Sequence, residues 1–275
     1  MNTKHMLMPL LLAGFLIESV HSADHSGVMP FVTDDVAALA YLDLTAVDMP
    51  AVLNEARNLS AVPQDELDDA ATDVLQAQSG IDQLTQNGAT LAYVLLRTSD
   101  FQHMGTTWVL PLAEDADADA VIQCFKSDDV DTPSPANRPP LLPKVFHVAD
   151  GAVLGATNEA QMKRFEKLRA EKPREQVRAA LAELGDGDAG LVVFGDSDSR
   201  RVVREMLPRL PAPFAEIDGR LIANDLLWGG AVIDLPPELK VTIQMETSDA
   251  GPRTIRGSRC HPWDFNYPTA QQATR

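Results

Sequence analysis

Cysteine is scarce in this chain, with only Cys124 and Cys260 among 275 residues. An oxidising compartment would allow the two to pair, but thiols 136 positions apart set no disulfide framework. Neither a CxxC pair nor a zinc-type spacing is present. Basic residues are also few: 23 Lys and Arg stand against 40 Asp and Glu, a formal net charge of -17. Nucleic acid is therefore not an expected partner, because phosphate binding needs clustered Lys and Arg to release counterions. An anionic membrane surface would be repelled by the same field. Long apolar runs are lacking too. Beyond the first 23 residues nothing approaches the roughly 20 apolar residues that span a bilayer, so the mature chain is expected to be soluble.

What is present begins at the N-terminus. Lys4 is followed by an apolar stretch from Leu7 to Ile17, interrupted by Pro9 and Gly14 and closed by Glu18. A positive end, a short apolar core and the small residues Ser22 and Ala23 read as a secretory signal peptide over residues 1–23. Cleavage after Ser22 leaves Val20 three positions back, and cleavage after Ala23 leaves His21 there, so both sites remain open. No cysteine follows the apolar core, which excludes amino-terminal lipidation and points to a secreted or periplasmic protein.

The interior carries a self-similarity spaced by about 150 residues, the kind of period to be sought before motifs are interpreted. In the first segment ALAYLDL (38–44) reads as a strand, Asp48 as a helix cap, and MPAVLNEARNL as a helix. A second helix follows over 65–80, then a strand over 88–100. In the second segment AGLVVFG (189–195) is a strand, Asp198 the cap, and RRVVREMLPRL the helix, with a further helix from Phe214 to Gly229 and a strand over 238–249. The matches are of kinds geometry dictates: Leu42 with Val192, Asp48 with Asp198, Gly80 with Gly229, Val94 with Ile243. The first unit continues with a strand in TTWVLPLA, a helix over 117–125, a proline-rich loop over 131–143 and a hairpin around Asp150-Gly151. A helix from Asn158 closes it, and another over 173–184 leads on. These elements predict an α+β fold with mixed or antiparallel sheets: a first unit over 28–172, a shorter related unit over 173–249, and an irregular, disordered tail over 250–275.

The segments LVVFGDSDSRRVVREMLPRLP and DLPPELKVTIQMETSD resemble uncharacterised exported proteins of planctomycete type. That group has no assigned activity, so the resemblance implies export and a motif-poor acidic interior, and no chemistry.

Candidate sites are few. LVVFGDSDS resembles the nucleophile block of GDSL-type esterases, which would make Ser197 the nucleophile. Serine needs a base and an oxyanion hole as well. The family sets its nucleophile early and its Asp-x-x-His late, whereas only 78 residues follow Ser197, and the sole Asp-x-x-His, Asp100 to His103, precedes it. Asn224-Asp225 loosely matches the family's Gly-x-Asn-Asp block, with Ile222 in the glycine place. The repeat offers Ser197 and Asp198 a simpler role as a helix start. Asp115, Asp117 and Asp119 have the spacing that opens a calcium loop, but Ala120 and Lys126 stand where the loop needs glycine and glutamate. Acids at a helix N-terminus explain them. Gly185-Asp186-Gly187-Asp188 reads as a turn. His103, His147 and His261 form no i, i+4 metal pair. Trp108 and Trp228 are expected in the core, and Trp263, Phe265 and Tyr267 in the tail. Asn58-Leu59-Ser60 matches a glycosylation sequon.

No catalytic residue, cofactor ligand or metal ligand is thus assigned. The expectation is an exported protein with a non-catalytic binding or structural role, through a protein partner or self-association. A serine esterase using Ser197 and an acidic calcium-binding module are the alternatives. N-terminal sequencing of the exported chain is expected to begin at Ala23 or Asp24; recovery with Met1 intact would contradict the export reading.

Overall fold

Alternation of apolar positions in VAALAYLD and LAYVLLR gives two strands, each with both faces usable. They pair antiparallel as β1 (Val36–Asp43) and β2 (Leu91–Arg97), with Tyr41 opposite Tyr93. This computed structural model describes residues 24–58, 64–98, 105–126, 142–167, 174–195, 200–201, 226–236, 239–247 and 253–258. A 3-10 segment, His25–Phe31, precedes β1, and helices α1 (Met49–Asn58) and α2 (Gln64–Gln86) lie between β1 and β2. Then come β3 (Thr107–Pro111), α3 (Ala118–Lys126), β4 (Val145–Ala149), β5 (Ala152–Ala156), α4 (Glu159–Lys167) and α5 (Glu175–Leu184). The remaining strands are β6 (Ala189–Phe194), β7 (Leu226–Asp234), β8 (Lys240–Thr247) and β9 (Arg253–Ser258). All nine form one sheet, ordered β4-β5-β3-β2-β1-β6-β7-β8-β9, in which every neighbour is antiparallel. The fold is α+β, as expected.

Local chemistry sets several boundaries where the sequence places them. The Asp48 carboxylate accepts from the Ala51 amide at 2.9 Å and starts α1. The Asn158 side chain does the same for Gln161 at the start of α4. Asp150 and Gly151 both take positive φ, 49° and 70°, the turn geometry that joins two twisted antiparallel strands in the β4–β5 hairpin.

Other boundaries differ from expectation. Residues 226–229, expected to end a helix, belong to β7, where Trp228 is buried in a strand. Helix α2 runs through Gly80 to Gln86 and closes at Gly88, φ 92°. Residues 253–258 of the expected irregular tail form β9 against β8. Strands β2 and β8, expected as matching strands of the two segments, take different places in the sheet. Across the β1–β6 seam the neighbour that mirrors β2 is β7, and β8 lies one strand further out. The two units are halves of a single sheet, not two sheets.

Apolar side chains fill both faces. On one, the 3-10 segment, α4 and α5 pack over Leu39, Leu95, Val192 and Phe194. On the other, α2 and α3 cover Ala92, Leu110 and Val153. The first layer is fastened by Arg97, 2% exposed. Its guanidinium donates to the Phe31 carbonyl and the Thr33 hydroxyl, both at 3.0 Å, lies 3.5 Å from Asp35, and sits 4.7 Å over the Phe165 ring. One buried cation thus joins β2, the chain entering β1, and α4. Arg97→Met would strand a buried carbonyl and a carboxylate, so a loss of about 3 kcal/mol is expected in urea denaturation. An unchanged midpoint would show that Arg97 fastens nothing.

Candidate functional site

Two of the chain's three tyrosines, Tyr41 and Tyr93, face each other across β1 and β2 with ring centroids 6.4 Å apart. His25, on the first turn of the 3-10 segment, lies against both, 4.7 Å from the Tyr41 ring and 5.9 Å from the Tyr93 ring, edge-on in each case. Its Nδ1 is 2.9 Å from the Tyr93 hydroxyl. The Tyr41 ring has room because its other cross-strand neighbour is Gly190, where a Cβ would come within 2.3 Å of the ring. Gly190 is required here for close approach, since any side chain would have to displace the ring.

Burial decides the protonation states. It holds His25 below the ordinary histidine value of 6.5, with the nearby Asp186 and Asp24 carboxylates only partly opposing it. It pushes Tyr41 up to about 12, helped by Asp186, Asp234 and Asp188, and raises Tyr93 as well, helped by Asp24. At neutral pH the pair is therefore a neutral imidazole and a protonated phenol, and the imidazole tautomer sets which of the two donates. The Tyr41 hydroxyl is buried and has no hydrogen-bond partner among the described residues.

Above this cluster a cleft of about 780 Å³ opens between the 3-10 segment and the C-terminal half of α5. Asp24, His25 and Met29 form one wall, and Leu181, Ala182 and Asp186 the other. The Ser26 amide donates to Asp24 at 2.9 Å, and this bond holds the Asp24 carboxyl below its ordinary value. Arg178 on the rim is engaged by Glu175 at 3.1 Å. The result is a concave surface with mostly apolar walls that also carry Asp24, Asp186 and a neutral His25, features suited to holding a ligand. Among the described residues no serine, threonine or cysteine side chain is hydrogen-bonded to His25.

Of the residues singled out in the sequence, the described ones that reach this cleft belong to the Gly185–Asp188 turn. Ser197, Asp198, Asp100, His103, Asn224 and Asp225 lie outside the described residues, as do His261, Cys260 and the tail aromatics Trp263, Phe265 and Tyr267. Strand β6 runs toward Ser197 antiparallel to both neighbours, so it does not make the crevice between parallel strands at which α/β enzymes gather catalytic loops. Asp117 accepts from the Ala120 amide at 3.0 Å and caps α3, with Asp119 in the first turn. Among the described residues no three His, Cys, Asp or Glu side chains are grouped to hold a metal ion. Gly185 ends α5 at φ 78°, and Asp188 accepts from the Leu235 amide at 2.7 Å. Gly185 and Asp186 of that tetrad line the cleft with Asp24 and His25. His147 lies on β4, 3.5 Å from Glu166. The Cys124 Sγ donates to the Ala120 carbonyl, and burial pushes this thiol up. Trp108 is half-buried on β3 beneath α2 and α3, and Asn58 ends α1, with Leu59 and Ser60 outside the described residues.

Sequence reasoning missed His25, Tyr41 and Tyr93. Nothing in their spacing announces them, because the register between β1 and β2 creates the pair. His25 lies next to the expected cleavage sites, where it is easily passed over as part of the signal.

Because the folded-state value of His25 lies below 6.5, the unfolded chain takes up this proton first on acidification. The stability His25 contributes is complete above that value and is lost as pH falls below it. Titrating wild type and His25→Gln in parallel separates this from the many carboxylates: wild type is expected to lose more stability between about pH 7 and pH 5. Parallel curves would contradict the assignment. Comparison with protein-family models, curated proteins and solved structures finds no match to this chain.

Proposed function

We propose that the chain is an exported, soluble binding protein without catalytic activity, and that its ligand occupies the cleft between the 3-10 segment and α5. The observation that carries this reading is the cleft itself, about 780 Å³ and lined by Asp24, Asp186 and a His25 held against Tyr93. The Tyr93 hydroxyl behind His25 fixes the imidazole in the cleft wall, a pre-formed polar contact among apolar ones of the kind binding sites use. Export is supported by the signal-like first 23 residues and by the resemblance to exported proteins of planctomycete type. The strong negative charge disfavours nucleic acid and acidic surfaces as ligands. An amine, an amino acid or a short peptide with a free cationic group suits a cleft lined by Asp24 and Asp186.

Thermal unfolding of the exported chain against a panel of small amines, amino acids and dipeptides tests the reading. At least one compound is expected to raise Tm, as any ligand selective for the native state must. Ala182→Trp, which fills the cleft from an exposed position on α5, is expected to abolish that rise while leaving the unliganded Tm within about 2 °C. Short-chain ester hydrolysis that vanishes in Ser197→Ala would replace this reading with the esterase. Heat of calcium binding with a matching rise in Tm would replace it with the calcium module.

A further inference from the structure

We infer that the cleft releases a cationic ligand on acidification, because a proton on His25 and the ligand's positive charge compete for the same two carboxylates, Asp24 and Asp186. The inference rests on the reading that this cleft takes a cation, and it adds a regulation to that site.

The cavity puts the three groups together. His25 and Asp24 line one wall and Asp186 the other. Both carboxylates act on the imidazole, each favouring its charged form. The imidazole is half-buried and fixed in place. Its Nδ1 lies 2.9 Å from the Tyr93 hydroxyl, and the ring packs edge-on against Tyr41 at 4.7 Å and Tyr93 at 5.9 Å. A phenol hydroxyl both donates and accepts, so it meets Nδ1 whether or not that nitrogen carries a proton. Protonation therefore adds a charge at this spot without requiring the ring to move.

The other charged and titratable groups around His25 are already committed. Tyr41 from β1 and Tyr93 from β2 are held protonated by burial. Arg178 from α5 lines the cleft but is engaged by Glu175 at 3.1 Å. Beyond Tyr41, Asp188 accepts from the Leu235 amide at 2.7 Å and Asp234 holds Lys240 at 2.8 Å. Asp43, which acts on Tyr93, accepts from the Thr45 amide at 2.8 Å. Asp24 and Asp186 are the carboxylates that line the cleft itself. At neutral pH burial keeps the imidazole uncharged, and the cleft offers both carboxylates to a ligand's ammonium. Once His25 is protonated a cation already stands beside them, in half-buried surroundings where solvent screens the repulsion only in part. Ligand and proton then weaken each other by the same factor.

Calorimetric titration of the exported chain with n-hexylamine at constant ionic strength tests this. Its ammonium stays charged throughout the range used, as a lysine side chain does, and its alkyl chain suits walls that include Met29, Pro30 and Leu181. Binding at about pH 5 is expected to be roughly fivefold weaker than at about pH 7.5. In His25→Gln, which keeps both carboxylates, the two affinities are expected to be equal, whatever their absolute value. Equal affinities in the wild type, or an undiminished ratio in His25→Gln, overturn the inference and leave the cleft a binding site. No binding at either pH overturns it as well, and if no compound of the panel raises Tm the reading of the cleft falls with it. Should His25→Gln bind hexylamine too weakly to measure, proton NMR titration of the wild-type imidazole decides, its resonance identified by its absence from the variant. Saturating hexylamine is expected to lower the His25 midpoint by about 0.7 pH unit or more, the same factor read from the proton's side. An unmoved midpoint overturns the inference.

Discussion

The antiparallel pairing of β1 with β6 is the constraint on which the rest of the structure depends. Five residue pairs, Ala38 with Val193 through Leu42 with Ala189, join strands that are far apart in sequence and convert two runs of elements into one sheet. Without that seam, β2 to β5 would end in an open edge at β1, and β6 to β9 would form a separate small sheet with an edge at β6, exposed in each case to unwanted pairing. The centre of the seam is Tyr41 against Gly190. Removing every side-chain atom at 190 lets an aromatic ring cross from one half to the other, and His25 then packs on that ring. The cleft is tied to the seam on both sides: His25 in one wall packs on Tyr41 of β1, and the other wall, α5, is the element that leads into β6.

Two arginines then hold the N-terminal residues where the cleft needs them. Arg97 rises from β2 to grip the chain at Phe31 and Thr33, while Arg174, just before α5, donates to the Asp34 and Val36 carbonyls at 3.1 and 2.8 Å and covers the Phe194 ring at 5.0 Å. Both use guanidinium geometry, with several donors on one plane meeting backbone oxygens at fixed angles, which a lysine could not reproduce. In a chain this acidic, basic residues spent on buried structural bonds are few. Their concentration around residues 31–36 marks the entry to β1 as the point where loosening would be most damaging.

Much of the fold was legible where one residue's chemistry fixes the local path. Asp48, Asp117 and Asn158 begin helices because a short oxygen-bearing side chain can meet an orphan amide, and Asp150-Gly151 turns because both accept positive φ. Reading failed where tertiary contacts decide. The run LLWGGAVID is apolar on both sides, so its periodicity does not separate a buried helix from a buried strand, and Gly229-Gly230 resembles a helix stop. It is a strand because β6 and β8 flank it, and Gly230 serves by leaving room for Leu184 of α5. Gly80 misled in the same way: in an exposed helix interior a glycine costs only about 1 kcal/mol, and α2 continues through it. The candidate site was less legible than the fold. Its residues come from positions 25, 41, 93 and 186, and only the strand register and the course of α5 bring them together.

The central claim is that one sheet, closed at the β1–β6 seam, holds both halves and ties down both walls of the cleft. Native-state amide hydrogen exchange measures this most directly. If the account is correct, hydrogen-bonded amides within 38–42 and 189–193 exchange only through global unfolding, with one common free energy that matches the denaturant-derived stability. If amides of β6 and β7 instead exchange at a distinctly lower free energy while those of β1 and β2 stay protected, the halves open independently, and the seam does not hold the structure together.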